Sequence, residues 1–206
     1  MESYKTIKGF AEAEITEKKS RFIAYLASAT TEEEALSFLE SIRAQHRMAR
    51  HHVFAYILRE GARVRYSDDG EPSKTAGLPT FDAIRYAELT DVVAVVVRYF
   101  GGTLLGTGGL IRAYTQATQA AIQVAEVVTV SLCVDVSLRI PYSDYDRLVH
   151  ALGKQEVRIV GTDFGEVVTM KLLVKADKQS VLVRQLTELL CGSDAITVGV
   201  TYWTAF

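Results

Sequence analysis

Residues Asp91–Glu126, DVVAVVVRYFGGTLLGTGGLIRAYTQATQAAIQVAE, constrain the fold more than any other stretch. Val92–Val97 is an unbroken apolar run of mostly β-branched residues and reads as a buried strand. Gly101, Gly102, Gly106, Gly108 and Gly109 follow within a short span, and then apolar residues recur at helical spacing. A strand, a glycine-rich turn and a helix in that order leave the first helical amides unpaired, at the end where the backbone dipole favours an anion. The stretch marks where something binds without naming it.

Neither familiar nucleotide motif fits. Gly101 and Gly106 have the spacing that opens a P-loop, but Thr107-Gly108 stands where Lys-Ser/Thr is required, and Ile111 breaks any G-x-G-x-x-G. The glycines also serve positive φ and close helix–sheet packing. In the helix, Leu110, Ile111, Tyr114, Ala117, Ala121, Ile122 and Ala125 form the apolar face, and Arg112, Gln116, Gln119, Gln123 and Glu126 the polar one.

Upstream, Tyr4–Ile7 and Phe22–Ala27 read as strands. Lys18, Lys19 and Arg21 between them are either a solvated turn or an anion contact. Thr31 with Glu34 forms a capping box for a helix over 31–46. Three of the four histidines, His46, His51 and His52, then crowd together with Arg43, Arg47 and Arg50. They lack the spacing of a helical zinc site, and read as a polar helix end or a local cationic patch. Val53–Leu58 and Arg63–Tyr66 make a hairpin. The polar stretch Ser67–Gly77 carries Asp68, Asp69 and Glu71, which suit either turn chemistry or a divalent cation. A helix from Leu78 to about Leu89 follows.

From Val127 the pattern changes to strict alternation, Val130 to Ile140, stopped by Pro141. Helices capped by Ser143 and Asp177 and strands at Val157–Gly161, Glu166–Val174 and Ala195–Trp203 complete a βαββαβ order, a ferredoxin-like unit. The expected division is therefore residues 1–127 and 128–206. The second part is poor in site chemistry: His150 is isolated, and Tyr202 and Trp203 read as packing residues.

Lys and Arg (23) nearly balance Asp and Glu (25), so nucleic-acid contact would need a local basic patch. No window approaches the roughly 18 apolar residues of a membrane span, and MESYKTIKGF has no signal-like apolar core, which points to the cytoplasm. Cys133 and Cys191 are expected as two reduced, buried thiols.

The residues VVVRYFGGTLLGTGGLIRAY, preceded by SDDGEPSKTAGLP, resemble the IMPACT family and its bacterial YigZ-like members. Lys19-Ser20-Arg21-Phe22 and Ala49-Arg50-His51-His52 look like further family elements. The resemblance implies an α+β chain: an N-terminal two-layer α/β domain like domain 2 of ribosomal protein S5, and a ferredoxin-like domain similar to the last domain of elongation factors. It also implies a link to translation, since eukaryotic members regulate it by competing for the activator of an initiation-factor kinase. Only the fold transfers with the resemblance; function attaches to sites.

The leading expectation is a translation-associated regulatory protein, not an enzyme, that binds RNA, the ribosome or a translation-linked partner. Gly101, Gly102, Gly106, Gly108 and Gly109 would accept the anion, with charge from Arg98, Lys74 and Arg112 and from Arg50, His51 and His52. No cofactor and no catalytic residue is assigned. One alternative is a metal-dependent hydrolase or phosphotransferase acting on a small phosphorylated ligand, with the metal on Asp68, Asp69 and Glu71. Another is a protein–protein adaptor.

Overall fold

The structure, a computed structural model, describes residues 3–192 and 195–206. The chain divides into two compact units, Tyr4–Val128 and one built on Thr129–Phe206. It is an α+β protein, and no helix among its described residues is long and apolar enough to cross a membrane.

The first unit contains β2 (Phe10–Glu17), β3 (Ser20–Ser28), α1 (Glu32–Gln45), β4 (His51–Leu58), β5 (Arg63–Ser67), α2 (Gly77–Tyr86), β6 (Val92–Tyr99) and α3 (Gly106–Val124), after an opening strand β1 (Ser3–Ile7). Its antiparallel sheet has the order β2-β3-β6-β4-β5. The apolar run of β6 is explained by this central place, because a strand covered on both faces cannot alternate apolar with polar. Val92, Ala94 and Val96 join a core with Ile84 of α2 and Leu110, Ala113, Tyr114 and Ala117 of α3. Val93, Val95 and Val97 join another with Ala35, Leu39 and Ile42 of α1. The α2–α3 layer covers one face of the sheet and α1 the other, so α1 adds a layer to the two that were expected.

The capping box of α1 forms as read: Thr31 accepts from the Glu34 amide, and the Glu34 carboxylate returns to the Thr31 amide. Strand β2 is an addition to the sequence reading. Its glutamates Glu12, Glu14 and Glu17 depress strand propensity, but β2 is an edge strand, on which Glu12 and Glu14 stay exposed on one face and Glu17 stands at the strand end.

The second unit runs β7 (Val127–Ile140), α4 (Tyr142–Leu152), β8 (Val157–Phe164), β9 (Val168–Lys175), α5 (Gln179–Leu189) and β10 (Ile196–Ala205). Its strands pair antiparallel in the order β10-β7-β9-β8, the ferredoxin-like arrangement. Val134, Val136, Leu138 and Ile140 pack against Leu148, Leu152, Leu182 and Leu186 of the two helices. Two local expectations are corrected. Pro141 rather than Ser143 precedes α4, and Asp177 lies in a 3-10 turn ahead of α5, so neither side chain caps its helix. A third correction concerns the thiols: Cys133 is buried, but Cys191 sits past the end of α5 and is exposed.

Candidate functional site

The site begins where the apolar run of β6 stops. Sheet register sets Phe22 of β3 and His51 of β4 on either side of Arg98. The side chain of Arg98 is 7 % exposed. Its Nη1 donates to Glu71 Oε1 at 2.7 Å, and the Tyr114 hydroxyl of α3 donates to the same oxygen at 2.8 Å. The guanidinium lies 5.5 Å from the ring centre of Phe22 and 5.7 Å from that of Phe100. Its Nε has no hydrogen-bond partner. Burial, and then the Glu71 charge, push the Tyr114 phenol far above its ordinary range, so Tyr114 remains a donor to the carboxylate. His51 is oriented from behind. Its Nδ1 meets the Asp69 carbonyl at 2.8 Å, and since a carbonyl only accepts, Nδ1 carries the proton. Its Nε2 lies 4.0 Å from Glu71 Oε1.

Glu71 is delivered by the loop between β5 and α2, and that loop is tied down by Asp68. The Asp68 carboxylate accepts from the amides of Lys74 at 2.8 Å, Ala76 at 3.0 Å and Gly77 at 2.8 Å. It thereby closes the start of α2, whose N-cap Ala76 has no side chain able to do so. Asp69 turns elsewhere, accepting from the His52 amide at 2.6 Å and from Arg43 of α1 at 3.3 Å. The reading of Asp68, Asp69 and Glu71 as metal ligands is thus corrected. The three carboxylates diverge, each held by its own donors, and no group of three or more His, Cys, Asp or Glu among the described residues is placed to hold a metal ion. Replacing Asp68 by Ala leaves three amides without their acceptor. The expected loss is about 2 kcal/mol, with faster hydrogen exchange confined to the 74–77 segment. Uniform exchange across the unit would contradict that anchoring role.

The glycine turn meets the β2–β3 hairpin. The Gly101 amide donates to Ser20 Oγ at 3.1 Å, and a Cβ at Gly101 would overlap the Lys19 carbonyl and the Ser20 amide, so only glycine permits the approach. The hairpin turn itself is strained, with Lys18 at φ 45° and Lys19 at φ 67°. Asn-Gly is the residue pair usual for such a turn, and each left-handed L-residue costs about 1–2 kcal/mol. Gly106, at φ 71°, opens α3, and no side chain caps that helix. Gly102, Gly106 and Gly108 are exposed, while Gly109 packs on Leu105. Arg112 reaches back over the first turn: its Nη1 is 3.6 Å from where a Gly108 Cβ would stand. A cation over the positive end of a helix is unfavourable unless an anion joins it.

Beside this turn lies a groove of about 670 Å³ lined by Met48, Arg50, His51, Arg98, Tyr99, Phe100 and Leu104. Three expected residues, Arg50, His51 and Arg98, therefore share one wall. Arg98 enters as half of a buried ion pair and not as a free cation. His52 is corrected out of the site. Neighbours on a strand point to opposite faces, so its ring turns inward onto the His46 carbonyl at 3.2 Å. Burial holds the His52 imidazole below its ordinary pKa and favours the neutral form. Lys74 is exposed but does not line the groove. The sequence reading missed Met48, Phe100 and Leu104, which are 87 %, 56 % and 83 % exposed. Their signal was large apolar residues inside polar or glycine-rich turns, where no core calls for them.

The chain is similar to known proteins. Residues 18–122 match the Impact N-terminal domain. The chain is 35 % identical over 204 residues to IMPACT family member YvyE of Bacillus subtilis (strain 168), covering 98 % of this chain and 94 % of that protein. The chain belongs to the IMPACT family. It is 34 % identical over 179 residues to the family member YigZ of Escherichia coli (strain K12), covering 85 % of this chain and 88 % of the relative. Residues 138–193 match a domain of unknown function, DUF1949. A crystal structure described as that of a hypothetical protein, 32 % identical, aligns with TM-score 0.64 over 97 % of this chain and 98 % of its own. Every residue of the groove, the buried Glu71–Arg98–Tyr114 cluster and the glycine turn falls within the IMPACT N-terminal segment.

Proposed function

We propose that this IMPACT family protein is a translation-associated regulator that binds RNA through the groove and the adjoining start of α3. The translational part follows the role that family resemblance implies for eukaryotic members. The RNA part rests on one observation, the exposed groove in which Arg50 has no carboxylate partner among the described residues. Asp68, Asp69 and Glu71 are each engaged by protein donors of their own. Among the described residues no carboxylate pairs with Lys18, Lys19, Arg50 or Arg112. Of these cations Arg50 lines the groove, and the main chain of Lys19 lies against Gly101 in the adjoining turn, so phosphate is the natural complement of the Arg50 side. The hydrolase or phosphotransferase alternative is less favoured by the geometry, because Asp68, Asp69 and Glu71 are each held by separate protein donors.

The test is a gel-shift titration with RNA at several salt concentrations. Binding is expected to weaken as salt rises, and Arg50→Ala to lower the slope of log K against log salt by about 1 without changing stability. Binding indifferent both to salt and to Arg50→Ala would remove the proposal.

A further inference from the structure

We infer that the groove seats an unpaired nucleobase, so that the ligand is single-stranded RNA and not a duplex. The inference rests on the proposed RNA-binding function and deepens it. Phe100 carries the argument. Arg98 lies 5.7 Å from its ring centre, and the ring is 56 % exposed. Arg98 is itself held by Glu71 beneath it, so the aromatic ring rests on a fixed cation and still offers surface to solvent. Met48 and Leu104 line the same groove, 87 % and 83 % exposed, and add apolar surface open to solvent. An exposed aromatic ring that shares a groove with apolar side chains and the unpaired Arg50 is an arrangement that takes a stacked base together with its phosphate. A paired duplex keeps its bases stacked on one another and presents phosphates and 2′-hydroxyls, leaving no free base face for Phe100.

Two further observations suit this occupant. Arg50 shares the groove with Phe100, which puts a phosphate-binding group beside the platform. His51, oriented by its Nδ1–H to the Asp69 carbonyl, lines the same groove and adds a polar ring beside Phe100.

The test uses the full chain and a single-stranded RNA oligomer carrying 2-aminopurine, whose fluorescence is quenched on stacking, together with the same sequence annealed to its complement. The expected result is quenching on binding and an affinity for the single strand roughly 10-fold or more above that for the duplex at equal salt. Phe100→Leu keeps an apolar side chain at this exposed position but removes the π-face. It should abolish the quenching and weaken the single strand roughly 10-fold, with the salt slope unchanged. Equal, salt-dependent binding of both forms would overturn the inference while leaving RNA binding in place, as would quenching that survives Phe100→Leu. Failure of both RNAs would overturn the proposed function itself. Capture of an acidic peptide with an apolar anchor, weakened by Phe100→Leu where RNA does not bind, would overturn both and assign the groove to a protein partner.

Discussion

Glu71→Ala is expected to lower the melting temperature of the Tyr4–Val128 unit by about 10 °C or more, reflecting a loss of roughly 3–5 kcal/mol. The size follows from what remains behind. Arg98 is 7 % exposed, and among the described residues its one carboxylate partner is Glu71 at 2.7 Å. Its Nε is already unpartnered, so without Glu71 the guanidinium is buried with neither counter-charge nor acceptor for Nη1. The Tyr114 hydroxyl is stranded at the same moment, because it donates to the same oxygen. A buried charge left unpaired costs far more than the pair contributes over an apolar replacement. The triple replacement Glu71→Leu, Arg98→Met, Tyr114→Phe should therefore recover most of the loss, whereas Glu71→Ala alone should not. Thermal unfolding of the two variants checks this. A single Glu71→Ala substitution costing under about 1 kcal/mol would mean that the pair is not the buried anchor described.

Gly101→Ala is the second large effect expected, about 3 kcal/mol or more, together with a displaced glycine turn. The new methyl group would collide with main-chain atoms of Lys19 and Ser20, not with the flexible end of a side chain. The hairpin cannot retreat cheaply, since β2 and β3 are paired along their whole length, from Phe10 opposite Ala27 to Glu17 opposite Ser20. Either the turn moves and loses the Gly101–Ser20 hydrogen bond, or the β2–β3 end opens. Gly102→Ala is the control. Nothing lies within 4 Å of its Cβ, and only its φ of +84° opposes the change, at about 1–2 kcal/mol. Denaturant unfolding of both variants should rank Gly101 well above Gly102, and equal costs would disprove the close approach. The Gly101 variant should also bind RNA less well than Gly102→Ala, because Phe100 and Leu104 flank the displaced segment and line the groove.

Much of this was legible from local pattern. The β6–turn–α3 passage, the Thr31 capping box and the alternation of β7 depend on residues a few positions apart, where sterics and periodicity act directly. The limits were equally physical. Strand β2 was hidden because Glu12, Glu14 and Glu17 are tolerated only at a sheet edge, and edge status is set by partners far along the chain. Asp68, Asp69 and Glu71 looked like one cluster because sequence proximity does not say which way a carboxylate turns within a loop. Each found a donor supplied from elsewhere: backbone amides of the same loop, His52 with Arg43, and Arg98 with Tyr114.

By itself, the sequence determined that this chain places a buried strand, a glycine turn and a helix in succession, followed by a βαββαβ unit, since apolar period and glycine conformational freedom act over short range. Only the tertiary structure decided that Arg98 is neutralised by Glu71, that Lys19 lies against Gly101, and that Met48, Phe100 and Leu104 open onto one groove with Arg50 and His51. Those contacts join segments tens of residues apart, and antiparallel register, not sequence spacing, sets which side chains meet.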